Sequence, residues 1–280
     1  MWTPKLGVCS WSLEVDSIPE LTRLADEVGA EVVQVGLGDP THGTWKEGPD
    51  FLEALRSSPL TLSGTMIGYP GEDYTSPQTI QKTGGFGDPA TRPERLKIFR
   101  HAVDQTAELG LTNLCSHAGF IPEPESPERA SFLDCLREAA EYAGTRGVVF
   151  AMETGQETAQ LLRQTLDELS MESLKVNFDP ANMLLYHMGN PIEAVELLGS
   201  GIIHVHAKDA RPPATKGEWG EEVPLGQGDV GMKEFVQALD EAGYTGPLVV
   251  EREVGDQGQR VRDIRGGIDV LRRVLDERAR

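Results

Sequence analysis

The chain is short of basic side chains: 26 Lys and Arg stand against 45 Asp and Glu, a formal net charge of −19. Nucleic-acid affinity comes largely from cations that neutralise phosphates, so this imbalance argues against a DNA or RNA partner. Long apolar stretches are also missing. No run approaches the roughly 20 residues that cross a bilayer, and no membrane partner is expected. The opening Met1-Trp2-Thr3-Pro4-Lys5 has neither the basic nor the apolar region of a secretory signal, which reads as a cytoplasmic protein. Cysteine is rare: Cys9, Cys115 and Cys135 are odd in number, widely spaced and free of any Cys-x-x-Cys pair. Nothing in that pattern signals thiolate zinc or redox work, and buried structural thiols are expected. Low-complexity tracts and linkers are absent, and no internal repeat goes beyond the strand–helix unit.

What the chain does contain is a regular alternation. Apolar runs of strand length lie at 6–11, 32–36, 60–67, 112–117, 148–153, 174–179, 201–207 and 248–251. Between them fall segments of helical period at 18–28, 92–109, 127–142, 158–169, 191–198, 232–242 and 259–275, with a weaker one at 51–56. Ser126-Pro127 reads as a helix start, and Gly110, Gly147 and Gly243 stand where helices stop. Strands too apolar to keep a solvated face call for a parallel sheet covered by helices. Eight such units in 280 residues predict an α/β fold, a single (β/α)8 TIM barrel spanning 1–280, since one barrel needs roughly 250 residues. Two segments interrupt the rhythm, 69–93 and 211–231. Both follow strand C-termini, so in a barrel they would overhang the catalytic face as lids.

Four strands end on a side chain that bears chemistry: Phe150-Ala151-Met152-Glu153, Asn177-Phe178-Asp179, His204-Val205-His206 and Val249-Val250-Glu251. In a barrel these ends converge. Each pair of carboxylates about 4 Å apart costs on the order of 4 kcal/mol at an effective dielectric of roughly 20, so three of them call for a cation. Oxygen-rich ligation with one imidazole suits Mn, Mg or Co at least as well as Zn. His204 and His206 share a strand face, and His206, nearer the mouth, is the candidate ligand, whereas His204 is expected to pack in the core. His117 ends the fourth strand at the same mouth, either as a substrate donor or as support for a ligand. His42, His101 and His187 fall in loop or helix contexts and are expected to be structural or solvated.

The motifs Phe150-Ala151-Met152-Glu153-Thr154-Gly155, Asn177-Phe178-Asp179-Pro180-Ala181-Asn182, Ile203-His204-Val205-His206-Ala207-Lys208-Asp209, Val223-Pro224-Leu225-Gly226-Gln227-Gly228-Asp229 and Gly243-Tyr244-Thr245-Gly246-Pro247 carry a resemblance. As a set they resemble the xylose isomerase-like TIM-barrel superfamily, nearest its sugar phosphate isomerase/epimerase group. The likeness runs over nearly the whole chain. It implies one divalent metal, Mn first, held by Glu153, Asp179, His206 and Glu251, with Glu153 and Glu251 doubling as the acid/base pair. Proton removal next to a ketone, through a metal-stabilised enediolate, would epimerise or isomerise a sugar or related polyol. The ketose 3-epimerases of that group carry His three residues after the ligating Asp, where this chain has Asn182. Gly231 likewise stands two residues after Asp229, and both changes remove ligands that the three-zinc endonuclease branch needs.

Around the metal, Lys208, Arg211 and Arg252 are candidates to meet a carboxylate or phosphate, and Trp11, Phe120 and Trp219 to stack on a sugar. Surface ion pairs or core packing compete with each of these roles. His117, Asn182, Lys208, Arg211 and Trp11 form the expected substrate contacts, and Gly226-Gln227-Gly228-Asp229 reads as a tight turn. The alternatives are a dehydratase of a keto-polyol on the same fold, an endonuclease, or a sugar-binding protein without catalysis. An isologous homodimer is the default if the protein assembles.

Overall fold

Eight short strands, buried on both faces, close into a parallel barrel. In chain order they are β1 (Leu6–Cys9), β2 (Val32–Gly36), β3 (Leu62–Met66), β4 (Asn113–Ser116), β5 (Val149–Glu153), β6 (Leu174–Phe178) and β7 (Ile202–Ala207). A separate antiparallel ribbon of β8 (Asp209–Arg211) and β9 (Glu221–Val223) follows, and β10 (Leu248–Val250) completes the ring. The order around the ring is β1-β10-β7-β6-β5-β4-β3-β2. This is a computed structural model, and it describes residues 2–38, 44–215 and 217–278.

Each strand is largely apolar because each of its faces is covered. One set of strand positions, including Val8, Val33, Val35, Phe150 and Phe178, packs into the large cluster shared with the helices. The alternate set, including Cys9, Val32, Met66, Cys115, Ala151 and Val249, forms a smaller second cluster. This is the period of two expected of a barrel with a filled interior. All three cysteines are free and buried.

The helices are α1 (Ile18–Val28), α2 (Phe51–Ser57), α3 (Pro77–Thr83), α4 (Arg92–Glu108), α5 (Arg129–Thr145), α6 (Ala159–Leu169), α7 (Pro180–Leu185), α8 (Pro191–Leu198), α9 (Met232–Glu241) and α10 (Gln257–Arg278). α1 shows why they form: Ile18, Leu21, Leu24, Ala25 and Val28 bury one stripe, and Gly29 stops it at φ 78° with its N–H on the Ala25 carbonyl. Thr158 caps α6 through the Leu161 N–H. Ser126-Pro127 does not start α5 directly. Ser126 Oγ accepts from Glu128 N, its carbonyl from Arg129 N, and this turn delays the helix to Arg129. None of these helices is long and apolar enough to cross a membrane.

Three elements escaped the periodic pattern, namely α3 within the first long insertion, the β8–β9 ribbon that opens into the second, and α7 directly after Asp179. The 69–93 segment is held from below by buried arginines. Arg92 donates to the carbonyls of Phe86 and Gly87, while Arg95 donates to those of Gly85 and Pro70 and lies over the Tyr69 ring. Loop carbonyls that water cannot reach are satisfied in this way.

The β5–α6 connection buries Glu157, 7% exposed. Burial, opposed by His117 and reinforced by Glu153, pushes its carboxyl up to about 8 from the ordinary 4.5. Between those values the folded chain holds a proton that the unfolded chain releases, so stability falls as pH rises. Glu157→Gln is therefore expected to flatten the decline in thermal midpoint between about pH 6 and pH 9 and to exceed wild type at the upper end, by up to a few kcal/mol. Melting curves at both pH values check this, and parallel declines in the two proteins would refute it.

Candidate metal centre

Glu153 is the last residue of β5, Asp179 and Glu251 each follow the last residue of β6 and β10, and His206 is the penultimate residue of β7. One donor atom from each comes within 4.8 Å of the others, and all four residues are buried. His206 Nδ1 faces the three carboxylates, 2.6 Å from Glu153 Oε1, 3.6 Å from Glu251 Oε2 and 3.9 Å from Asp179 Oδ2.

Each carboxylate has one oxygen anchored away from the common point. Glu153 Oε2 meets His117 Nε2 at 2.9 Å. Glu251 Oε1 accepts from Trp11 Nε1 at 2.7 Å. Asp179 Oδ1 accepts from the N–H groups of Ala181 and Asn182, the first turn of α7, at 2.8 and 2.9 Å. α7 thus exists to hold this carboxylate, with Pro180 at its first position. Asp179 Oδ2 is buried without a hydrogen-bond partner. An orphaned carboxylate oxygen among two further carboxylates and an imidazole nitrogen fits a divalent cation of the hard or intermediate kind.

Burial opposes charge on every member of the group, and the neighbours decide the outcome. At Glu153, His117 and His206 override burial and hold the carboxyl well below its usual range. At Glu251, Lys208 and His206 also override burial and lower the carboxyl. Asp179 goes the other way: burial, opposed by Lys208 and reinforced by Glu251 and Glu153, pushes it well above. Burial lowers the His206 imidazole, yet the Glu251 and Glu153 carboxylates hold it well above its ordinary value. Without metal the cluster therefore stores protons, and metal binding must release them. Burial pushes the Cys9 thiol, which also borders the cluster, up to about 12, so it is a neutral thiol and a poor ligand.

A cavity of about 540 Å³ opens above these residues. Of the expected substrate contacts, Trp11, His117, Asn182 and Lys208 line it. Arg211 does not. It is half-exposed on the ribbon, pairing with Glu221 at 3.2 Å and donating to the Gln227 carbonyl at 2.9 Å, because β8 turns its side chain to the outer face. Arg252 is buried between Glu222 and Asp263, at 2.7 and 3.0 Å. Trp219 lines the cavity, whereas Phe120 packs behind it on the edge of Tyr186. The two insertions supply cavity wall through Tyr74 and through Trp219, Gly220 and Glu222. His204 is a core histidine, bonded to Asn177 and Ser63 and pushed down to about 3 by burial. His101 and His187 are exposed, and His42 lies outside the described residues.

The family model for the xylose isomerase-like TIM barrel matches residues 22–274. The chain belongs to this family. A crystal structure of a xylose isomerase domain protein from Planctomyces limnophilus superposes with a TM-score of 0.88 at 29% identity, covering 99% of both chains. A D-allulose 3-epimerase from Methylomonas, solved with D-allulose, shares the fold at a TM-score of 0.70 and 18% identity over 98% of both chains. Among curated proteins, L-ribulose-5-phosphate 3-epimerase of Escherichia coli is 27% identical over 183 residues, which is 60% of this chain and 59% of that protein.

Within this xylose isomerase-like barrel, several residues at the site were not apparent from the motifs: Gln34, Tyr74, Tyr186, Glu222 and Glu253. Gln34 is the most consequential. Its Nε2 donates to the Thr65 carbonyl at 3.3 Å, which turns its Oε1 toward His206 Nε2 at 2.6 Å. His206 must then donate its Nε2–H, leaving Nδ1 directed at the carboxylates. Partners of this kind fix the tautomer of a metal-binding histidine. A lone glutamine among the valines of Val32-Val33-Gln34-Val35 was the signal available. Gln34→Leu is expected to weaken Mn binding by about 10–100-fold while the barrel stays folded. Calorimetric titration with Mn checks this, and an unchanged affinity would remove Gln34 from the site.

Proposed function

We propose that the protein is a divalent-metal-dependent epimerase or isomerase of a small ketose, with Glu153 and Glu251 as its acid/base pair. The observation that supports this most directly is that the two glutamates reach one point from β5 and β10, three places apart around the ring. A planar substrate between them presents a different face to each. When bound, one divalent ion, Mn before Mg, Co or Zn, would supply a Lewis acid beside the ketone oxygen and its neighbouring hydroxyl. Glu153, Asp179, His206 Nδ1 and Glu251 would hold it.

Glu153 is kept ionised by His117 and takes the proton from the carbon beside the ketone. Glu251 returns one from the other side, steered by Trp11 and Lys208. His117 is itself raised to about 9: burial lowers it, but the Glu153 charge prevails. A protonated His117 can therefore donate to a substrate oxygen as well as to Glu153. Asn182 and Lys208 are placed for further polar contacts, and Trp11, Tyr74, Tyr186 and Trp219 for the sugar's apolar faces. The 69–93 and 211–231 segments complete the wall that keeps water from the exchanging carbon.

The test is solvent deuterium uptake. Mn-loaded protein incubated with ketopentoses and ketohexoses in D2O should replace the proton next to the ketone and yield the epimer or isomer, read by NMR. No uptake by any ketose while the metal is bound would sink the proposal, and an unsaturated product absorbing in the ultraviolet would move the chemistry to a dehydratase.

A further inference from the structure

We propose that this site takes an uncharged ketose or polyol and excludes its phosphate ester, with Glu253 as the residue that enforces the exclusion. This deepens the epimerase reading above and rests on it.

Few groups around the cavity could hold a phosphate. Lys208 is the only lysine or arginine lining the cavity among the described residues. Its Nζ donates to Glu251 Oε2 at 2.9 Å and to Glu253 Oε2, and lies 4.0 Å from Asp179 Oδ2. An ammonium has three donors, and two of these are already on carboxylates. Arg252 is held between Glu222 and Asp263, and Arg211 turns outward to Glu221. His117 Nε2 meets Glu153, which leaves the ring a single further donor, the buried Nδ1.

Backbone amides are committed as well. Three N–H groups of the 226–230 turn, from Gly226, Gly228 and Val230, converge on the Asp209 carboxylate at 2.9, 3.0 and 3.2 Å, joined by Ala210 N at 3.0 Å. Convergent amides in a glycine-rich turn form an anion-binding concavity. Here the chain's own carboxylate fills it: a Cβ at Gly228 would lie 2.3 Å from Asp209 Oδ1. An incoming phosphate thus meets Glu222 and Glu253 on the cavity wall, and among the described residues no lysine or arginine there is free of a carboxylate. A neutral sugar meets Trp11, Tyr74, Tyr186 and Trp219 on the same wall. Carboxylates accept from hydroxyls and repel phosphate, so the same wall selects for one and against the other.

The experiment is calorimetric titration of the Mn-loaded protein with two matched pairs, L-ribulose and L-ribulose 5-phosphate, and D-fructose and D-fructose 6-phosphate. At least one free sugar is expected to bind about 100-fold more tightly than its ester, equivalent to about 2.7 kcal/mol. In Glu253→Gln, where one Lys208 donor loses its carboxylate, the gap should narrow about tenfold, whereas the exposed Glu172→Gln should leave it unchanged. A gap below about tenfold in the wild-type protein, or tighter binding of an ester, overturns this inference and leaves the epimerase reading standing. Failure of all four sugars to bind overturns both.

Discussion

Exchanging Glu153 and Glu251 together for glutamine is expected to lower solvent deuterium uptake by at least ~10⁴-fold with the barrel still folded. A positioned general acid or base contributes about 10²–10⁴-fold, and this variant removes both groups. Glutamine preserves the volume of each side chain and an oxygen that can accept from His117 or Trp11, so the packing around β5 and β10 survives. Charge, and with it the capacity to carry a proton, is lost. Folding should not suffer, since the change relieves the crowding of three buried carboxylates around Asp179. The measurement is the rate of deuterium uptake beside the ketone, paired with a thermal melt. A double variant that keeps more than about 1% of the wild-type rate would mean that neither glutamate moves the proton.

Saturating Mn is expected to stabilise the protein strongly, and chelator to reverse the effect. At a free concentration about 1,000 times the dissociation constant the gain is about 4 kcal/mol, which corresponds to a rise of roughly 8–16 °C in the thermal midpoint for a chain of this size. The physical source is the cluster itself, where Asp179 Oδ2 lacks a hydrogen-bond partner and three carboxylates share one buried space. Because Asp179 and His206 both sit well above their ordinary pKa values, protons compete with the metal. The stabilisation should therefore fade as pH falls, and titration in buffers of different ionisation enthalpy should reveal proton release. An equal Mn-induced shift in the Glu153→Gln, Glu251→Gln variant would place the metal elsewhere.

Much of the architecture was legible along the chain. Strands buried on both faces are predominantly apolar, so all eight announced themselves, and the helices between them bury stripes at helical spacing, as in α1. Less legible were elements whose reason lies in the site. α7 carries no long apolar pattern: it is one short run, started by Pro180 and tied to the Asp179 carboxylate. The β8–β9 ribbon is three residues per strand, too short for any period to register. Gln34 stood in plain view between valines, but its importance depends on His206, 172 residues away in the chain.

The sequence by itself determined the barrel and the positions of Glu153, Asp179, His206 and Glu251 at its mouth, because strand periodicity and strand ends are local properties. It did not determine which cations are free. Lysine and arginine side chains are long and reach any of several carboxylates, and the choice is made by which strands the closed ring sets side by side. Only the tertiary structure brought Glu251 and Glu253 from β10 onto Lys208 after β7, turned Arg211 to the outer face, and folded the 226–230 amides around Asp209. Those long-range pairings, unreadable from spacing, decided which charges remain to meet a substrate.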